Sequence, residues 1–160
     1  MANLKTNAMR ILDKAGISYH TYTYDHSDGS IDGISVAEKI GRSVEQVYKT
    51  LVTQGTSREY YVFIIPAADE LDLKAAARAV GEKAVEMIKV TDINKITGYI
   101  RGGCSPIGMK KMYKMVLDSS CQVLDTLIVS AGKLGYQIEL APNDLIRLIH
   151  CRVESITVLK

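Results

Sequence analysis

The sequence has no tryptophan, one phenylalanine, three prolines, three cysteines and three histidines, and each shortage closes off a reading. Cys104, Cys121 and Cys151 are odd in number and widely spaced, with no C-x-x-C pair and no histidine at zinc-ligand spacing. A disulfide scaffold and a zinc motif are excluded, and reduced thiols in a cytoplasmic protein are expected. His20, His26 and His150 stand apart and no G-x-S-x-G elbow is present, so a catalytic dyad or triad has little support. An excess of one charge is lacking too: 20 Lys and Arg face 18 Asp and Glu, for a net charge of +2. That balance excludes a protein that coats DNA by charge alone. The longest uncharged apolar stretch, Tyr60 to Ala68, falls far short of the roughly 20 residues of a membrane helix. Met1-Ala2-Asn3-Leu4-Lys5 turns polar too early for a signal peptide. A soluble, unexported protein is expected, without membrane, DNA, metal or cofactor in its work.

What is present suits one ordinary domain over residues 1–160, with 47% apolar and 24% charged residues. A chain of this length can bury roughly 70% of its unfolded surface, so it folds without metal or disulfide. Leu4, Ala8, Ile11, Leu12 and Ala15 share one face of a predicted helix from Asn3 to Ala15, ended by Gly16. Ile17 to Tyr24 reads as a strand and residues 26–30 as a loop. Ser35-Val36-Ala37-Glu38 has the form of a capping box opening a helix that stops near Gly41, and Ser43 repeats the device. Val47 to Thr53 and Tyr60 to Pro66 predict a hairpin across Gly55-Thr56-Ser57-Arg58. Asp72 caps a helix closed by Gly81, and Asp92 starts a short one ending before Gly98. Strands follow over Tyr113 to Leu117, Thr126 to Ser130 and Tyr136 to Leu140, then a helix from Pro142 to His150 and a strand over Arg152 to Leu159. Without a clean βαβ alternation, the expected class is α+β, with a curled, barrel-like, mixed or antiparallel sheet flanked by helices.

Three features could carry chemistry. Between residues 93 and 117 lie Lys95, Arg101, Lys110, Lys111 and Lys114 and no acid, so the rest of the chain is net acidic. With Gly102-Gly103-Cys104-Ser105-Pro106-Ile107-Gly108 this suits a phosphate-bearing ligand, though a solvated basic edge beside a tight turn explains it as well. Ser130-Ala131-Gly132-Lys133-Leu134-Gly135 could cradle an anion or simply turn a hairpin, and it lacks the G-K-[ST] ending of a P-loop. Lys49 shares a strand face with Val47 and Leu51, as an edge-strand gatekeeper or as a cation aimed into a pocket. Met87, Met109, Met112 and Met115 read as core filler, His26 as a solvated loop residue.

Taken together, Val47-Tyr48-Lys49-Thr50-Leu51, the two glycine loops and Ile138-Glu139-Leu140-Ala141 resemble the YbaK family of Cys-tRNA(Pro)/Cys-tRNA(Cys) deacylases, from about Lys5 to Val153. That family is related to the editing insertion domain of bacterial prolyl-tRNA synthetase. The resemblance implies a trans-editing hydrolase acting on the 3′ end of aminoacylated tRNA, with prolyl-tRNA synthetase as a candidate partner. It implies that Lys49 is the essential lysine. Gly102, Gly103, Ser105 and Gly108 would line the aminoacyl pocket, Ser130 and Gly132 would lie near the terminal adenosine, and Tyr24 would be a pocket tyrosine. It also implies that the thiol of the mischarged cysteine attacks its own ester. Two positions depart from the family pattern: Ile31-Asp32-Gly33 where well-known members carry a Phe, and Gln137 where they carry an Asp. Deacylation of another small residue such as alanine, or a non-catalytic tRNA- or synthetase-binding module, are the alternative functions.

Overall fold

The computed structural model describes residues 5–159. Helix α1 (Asn7–Lys14) begins where Thr6 Oγ1 accepts the Met9 N–H at 3.2 Å, and it buries Ala8, Met9 and Leu12. It is thus shorter than predicted: Asn3 and Leu4 lie outside the described residues, and Ala15 is an exposed C-cap. Strand β1 (His20–Thr23) follows, then α2 (Gly33–Ile40). Asp32, not Ser35, caps α2: its carboxylate accepts the Ser35 N–H at 3.1 Å and the Ser35 hydroxyl at 2.7 Å. A carboxylate at the N-terminus satisfies free N–H groups and complements the helix dipole, which a serine hydroxyl does less well. Ser43 does cap the single helical turn Val44–Gln46.

Strands β2 (Tyr48–Gly55) and β3 (Tyr60–Pro66) form the predicted hairpin, with Lys49 opposite Ile65 and Val52 opposite Val62. Apolar on both faces, β3 lies in the middle of a sheet: Val62 and Ile64 join the main core, while Tyr61, Phe63 and Ile65 pack under α3 (Leu73–Val80). Asp72 and Gly81 close α3 at its two ends as predicted. Strand β4 (Val85–Met87) was not foreseen; it pairs with only the last residues of β2, Thr53 to Gly55. The chain continues through α4 (Ile93–Thr97), β5 (Lys114–Asp118), β6 (Leu127–Ser130), β7 (Tyr136–Leu140), α5 (Pro142–Ile149) and β8 (Arg152–Glu154). The last strand stops well before Leu159, although Thr157 still bridges to Leu71. Of the four methionines expected in the core only Met115 is fully buried; Met109 is half-buried, and Met87 and Met112 are exposed.

The fold is α+β. A five-stranded mixed sheet runs β4-β2-β3-β5-β8, and an antiparallel sheet runs β1-β7-β6. A parallel bridge between Val47 and Ile128 links them, so the curl is shared by two sheets instead of closing into one barrel. On the three-stranded sheet, Arg42 clamps Glu139 with two 2.8 Å hydrogen bonds while the Tyr22 hydroxyl donates at 2.6 Å. Burial works to raise the Glu139 pKa, but bonds from Thr126, Tyr22 and Arg42 together hold it below the ordinary glutamate value. That ion pair therefore contributes stability above the unfolded carboxylate pKa and loses it as pH falls through the folded one. Glu139→Ala is expected to cost about 1.5–3 kcal/mol at pH 7, because Arg42 loses its carboxylate and the Tyr22 and Thr126 hydroxyls lose their acceptor. The shift in urea midpoint measures it, and an unchanged midpoint would refute the clamp.

Candidate active site

Because β4 pairs with β2 only from Thr53 onward, with one further bond from the Ile88 N–H to the Val52 carbonyl at 3.3 Å, the edge of β2 around Lys49, Thr50 and Leu51 is left open on that side. A cleft of about 620 Å³ forms against it. Its walls come from residues 29–33 at the start of α2, Ala67 after β3, Met87 and Ile88 in and after β4, Val90 and Ile93, and the turn carrying Arg101, Gly102 and Cys104. A narrower recess of about 120 Å³ shares Lys49, Thr50, Gly102 and Cys104 with the cleft and reaches back to Val36, Tyr48, Ser130 and Gln137. A water occupies about 30 Å³ of liquid, so the recess suits a small side chain and the cleft something larger.

Lys49 stands where the two spaces meet. Burial lowers its pKa below the ordinary lysine value, and the fields of Asp69 and Glu70 work in the opposite direction. Lys49 thus lies on a strand edge that β4 leaves unpaired and, at the same time, in the lining of both spaces.

The two glycine loops, distant in sequence, pack against one another. A Cβ on Gly102, whose φ is 80°, would lie 2.8 Å from both Ile31 Cδ1 and Leu134 Cδ2. One on Gly103 would lie 3.2 Å from the Leu134 backbone nitrogen. The positive φ of Gly102 favours glycine there, and a side chain at Gly103 would press on the Leu134 backbone. The Gly103 N–H is spent on the Ile100 carbonyl at 3.0 Å, closing a turn.

The structure brings Lys49, Gly102 and Ser130 of the expected residues to the cleft and recess. Gly103 supports from behind. Ser105 is fully buried and its hydroxyl accepts the Ile107 N–H at 3.2 Å, shaping the turn. Gly108 faces a separate apolar groove with Ile11 and Met109, and Gly132 sits against the Tyr99 ring. Tyr24 is buried beside the recess-forming sheet, under the Lys39 ammonium, and its hydroxyl has no hydrogen-bond partner among the described residues. Asp32 and Gln137, both marked in the sequence as departures from the family pattern, line the cleft and the recess, and so does Thr50, to which the sequence assigned no role. Gln137 is buried and pairs with Ser130 across β6 and β7, which brings it to the recess.

No histidine lines the cleft or the recess among the described residues. Cys104 supplies a thiol, but burial pushes its pKa up to about 11, so it is neutral near pH 7. Asp32 is a weak base, its pKa lowered by the bonds from the Ser35 side chain and backbone.

The fold is thus a small α+β domain in which a strand-edge lysine lies between two glycine turns, where a minor recess opens from a larger cleft. Residues 32–148 match the aminoacyl-tRNA editing domain, and the chain belongs to that family. It is 45% identical over 153 residues to EbsC of Enterococcus faecalis, named as a proposed Cys-tRNA(Pro)/Cys-tRNA(Cys) deacylase, covering 96% of this chain and 93% of that protein. It is 28% identical over 109 residues to the uncharacterised YwhH of Bacillus subtilis, covering 68% and 69%. The fold matches a crystal structure described as a proposed trans-editing enzyme for prolyl-tRNA synthetase, with a TM-score of 0.84 at 22% identity, over 98% of this chain and all of that one. A hypothetical protein matches with a TM-score of 0.85 at 17% identity, over 93% and 97%. No helix among the described residues is long and apolar enough to cross a membrane.

Proposed function

We propose that the chain, acting as a single domain, is a trans-editing deacylase that hydrolyses the ester of mischarged Cys-tRNA(Pro) and also of Cys-tRNA(Cys). The reading rests on the family, on the name of the EbsC relative and on one geometric observation. Lys49 stands at the junction of a recess of side-chain size and a cleft large enough for a nucleoside. The cysteinyl group enters the recess toward Ser130 and Gln137, the terminal ribose and adenine occupy the cleft, and the ester lies beside Lys49.

The lining offers no competent nucleophile, so the substrate supplies one. The cysteine sulfur, as thiolate, attacks its own carbonyl carbon; a C–S bond forms, the ester C–O bond breaks, and the tRNA 3′ oxygen takes up a proton. Water then opens the cyclic thioester to free cysteine. Holding the sulfur against the carbonyl gives high effective molarity. Lys49 and backbone N–H groups of Gly102 and Cys104 stabilise the developing oxyanion. Prolyl-tRNA synthetase is the partner we propose for delivering the tRNA.

Release of labelled amino acid from Cys-, Ala- and Ser-tRNA(Pro) by the purified protein tests this. Preferential release of alanine would make it an alanine deacylase, and no release would make it a binding module. Because the Cys104 thiol stays protonated, Cys104→Ala is expected to keep activity within about threefold of wild type. Cys121→Ala and Cys151→Ala should do the same. A covalent aminoacyl-enzyme on Cys104 detected by mass spectrometry would overturn that assignment.

A further inference from the structure

The charges around the cleft are segregated. Asp32 lines it at the start of α2, and the Gly33 backbone there is pressed against Ala67, just before Asp69 and Glu70. The other stretch of wall, α4 and the following turn, carries Arg101 on the cleft itself and Lys95 and Lys110 beyond it, three cations against the one acid Asp92 at the start of α4. Lys110 is held against α4: its N–H donates to the Thr97 carbonyl at 2.9 Å and its Nζ to the Lys95 carbonyl at 3.5 Å. Lys95, Arg101 and Lys110 are exposed, and none forms an ion pair among the described residues. Lys114 is different, since it lies in the field of Glu82.

We propose that Arg101, Lys95 and Lys110 form the track along which the acceptor strand of the bound RNA leaves the cleft, so that its phosphates cross α4 and avoid the acidic α2 side. This deepens the deacylase reading and rests on it for the placement of the 3′ nucleoside. An RNA with its terminal nucleoside in the cleft must carry a phosphate every few ångströms away from it. The α4 side meets those charges with three exposed cations that form no ion pair among the described residues, whereas the α2 side, with Asp32 on the cleft, would repel them. Ammonium contacts of this kind position a strand without reading its bases, and they bind by releasing counterions.

The test pairs Cys-tRNA(Pro) with the cysteinyl ester of adenosine, which offers the 3′ nucleoside and no phosphate. The double variant Lys95→Glu/Lys110→Glu should lower kcat/KM on the tRNA by about tenfold or more at low salt. It should flatten the log–log salt dependence by about 0.7–0.9 for each lost contact. It should cleave the adenosine ester at the wild-type rate. Lys74→Glu/Arg78→Glu on the exposed face of α3, carrying the same charge change, should leave both substrates unaffected. Unchanged tRNA kinetics, an equal loss in the α3 control, or an equal loss on the adenosine ester would each overturn the track. Should the wild type cleave neither substrate, the deacylase reading fails by itself. Retention of uncharged tRNA on nitrocellulose by the same variants then decides the track: weaker binding in the α4 variant alone supports it, and equal binding refutes it.

Discussion

Replacing Lys49 by alanine is expected to lower the rate of Cys-tRNA(Pro) deacylation by about 10- to 150-fold, corresponding to 1.5–3 kcal/mol for a lost charge-assisted contact. The fold should survive the change. Burial disfavours the Lys49 cation in the native state, so this group binds protons less readily folded than unfolded. A base whose folded pKa is lowered opposes folding at pH values where it must stay charged, and that opposition fades as pH rises. Lys49→Met should therefore keep or raise the thermal midpoint while losing activity, the pattern of a residue retained for chemistry at the expense of stability. The pH profile has a corollary. Activity should decline on the alkaline side at a pH below the 10.5 of an ordinary lysine, as the cation is lost early. Wild-type turnover in folded Lys49→Ala would remove the lysine from the mechanism.

The second large effect lies in the substrate. Cys-tRNA(Pro) should be cleaved more than about 100-fold faster than Ser-tRNA(Pro), although the two differ in one atom and both fit the recess. A thiol is a few per cent thiolate near pH 7 and strongly nucleophilic, whereas a hydroxyl is almost wholly un-ionised and needs a general base. Neither Asp32, held low by its cap, nor the neutral Cys104 supplies that base. A sulfur-containing cyclic product should precede free cysteine in rapid-quench samples. Equal rates on the two substrates with direct release of cysteine would identify water as the attacking group. Lys49 would then act on a different transition state.

The contrast between α2 and α3 shows where sequence reasoning holds. Helix α3 is bounded by Asp72 and Gly81, whose hydrogen bonds and left-handed backbone are local, and both ends are legible without the fold. The β2–β3 hairpin is legible for the same reason, with alternation and a tight turn contained in one short stretch. At α2 two capping residues compete three positions apart. Asp32 prevails with its Ser35 bonds, and the next residue, Gly33, lies so close to Ala67 that a Cβ there would be 2.1 Å from the Ala67 Cβ. Strand β4 has one buried residue, Val85, and no pattern to announce it; it exists because the end of β2 offers free hydrogen-bonding groups.

The site divides along the same line. A lysine within an apolar strand and two glycine-rich loops can be picked out of the sequence, because residue type and neighbours suffice to mark them as unusual. That the β2 edge at Lys49 opens onto a cleft follows from where β4 stops pairing. That Gly102 meets Leu134 while Gly108 faces another groove was decided by packing between segments far apart in the chain. Such contacts reflect the sum of many weak interactions across the core and the entropy of the loops that join them, and no short window of residues contains either quantity.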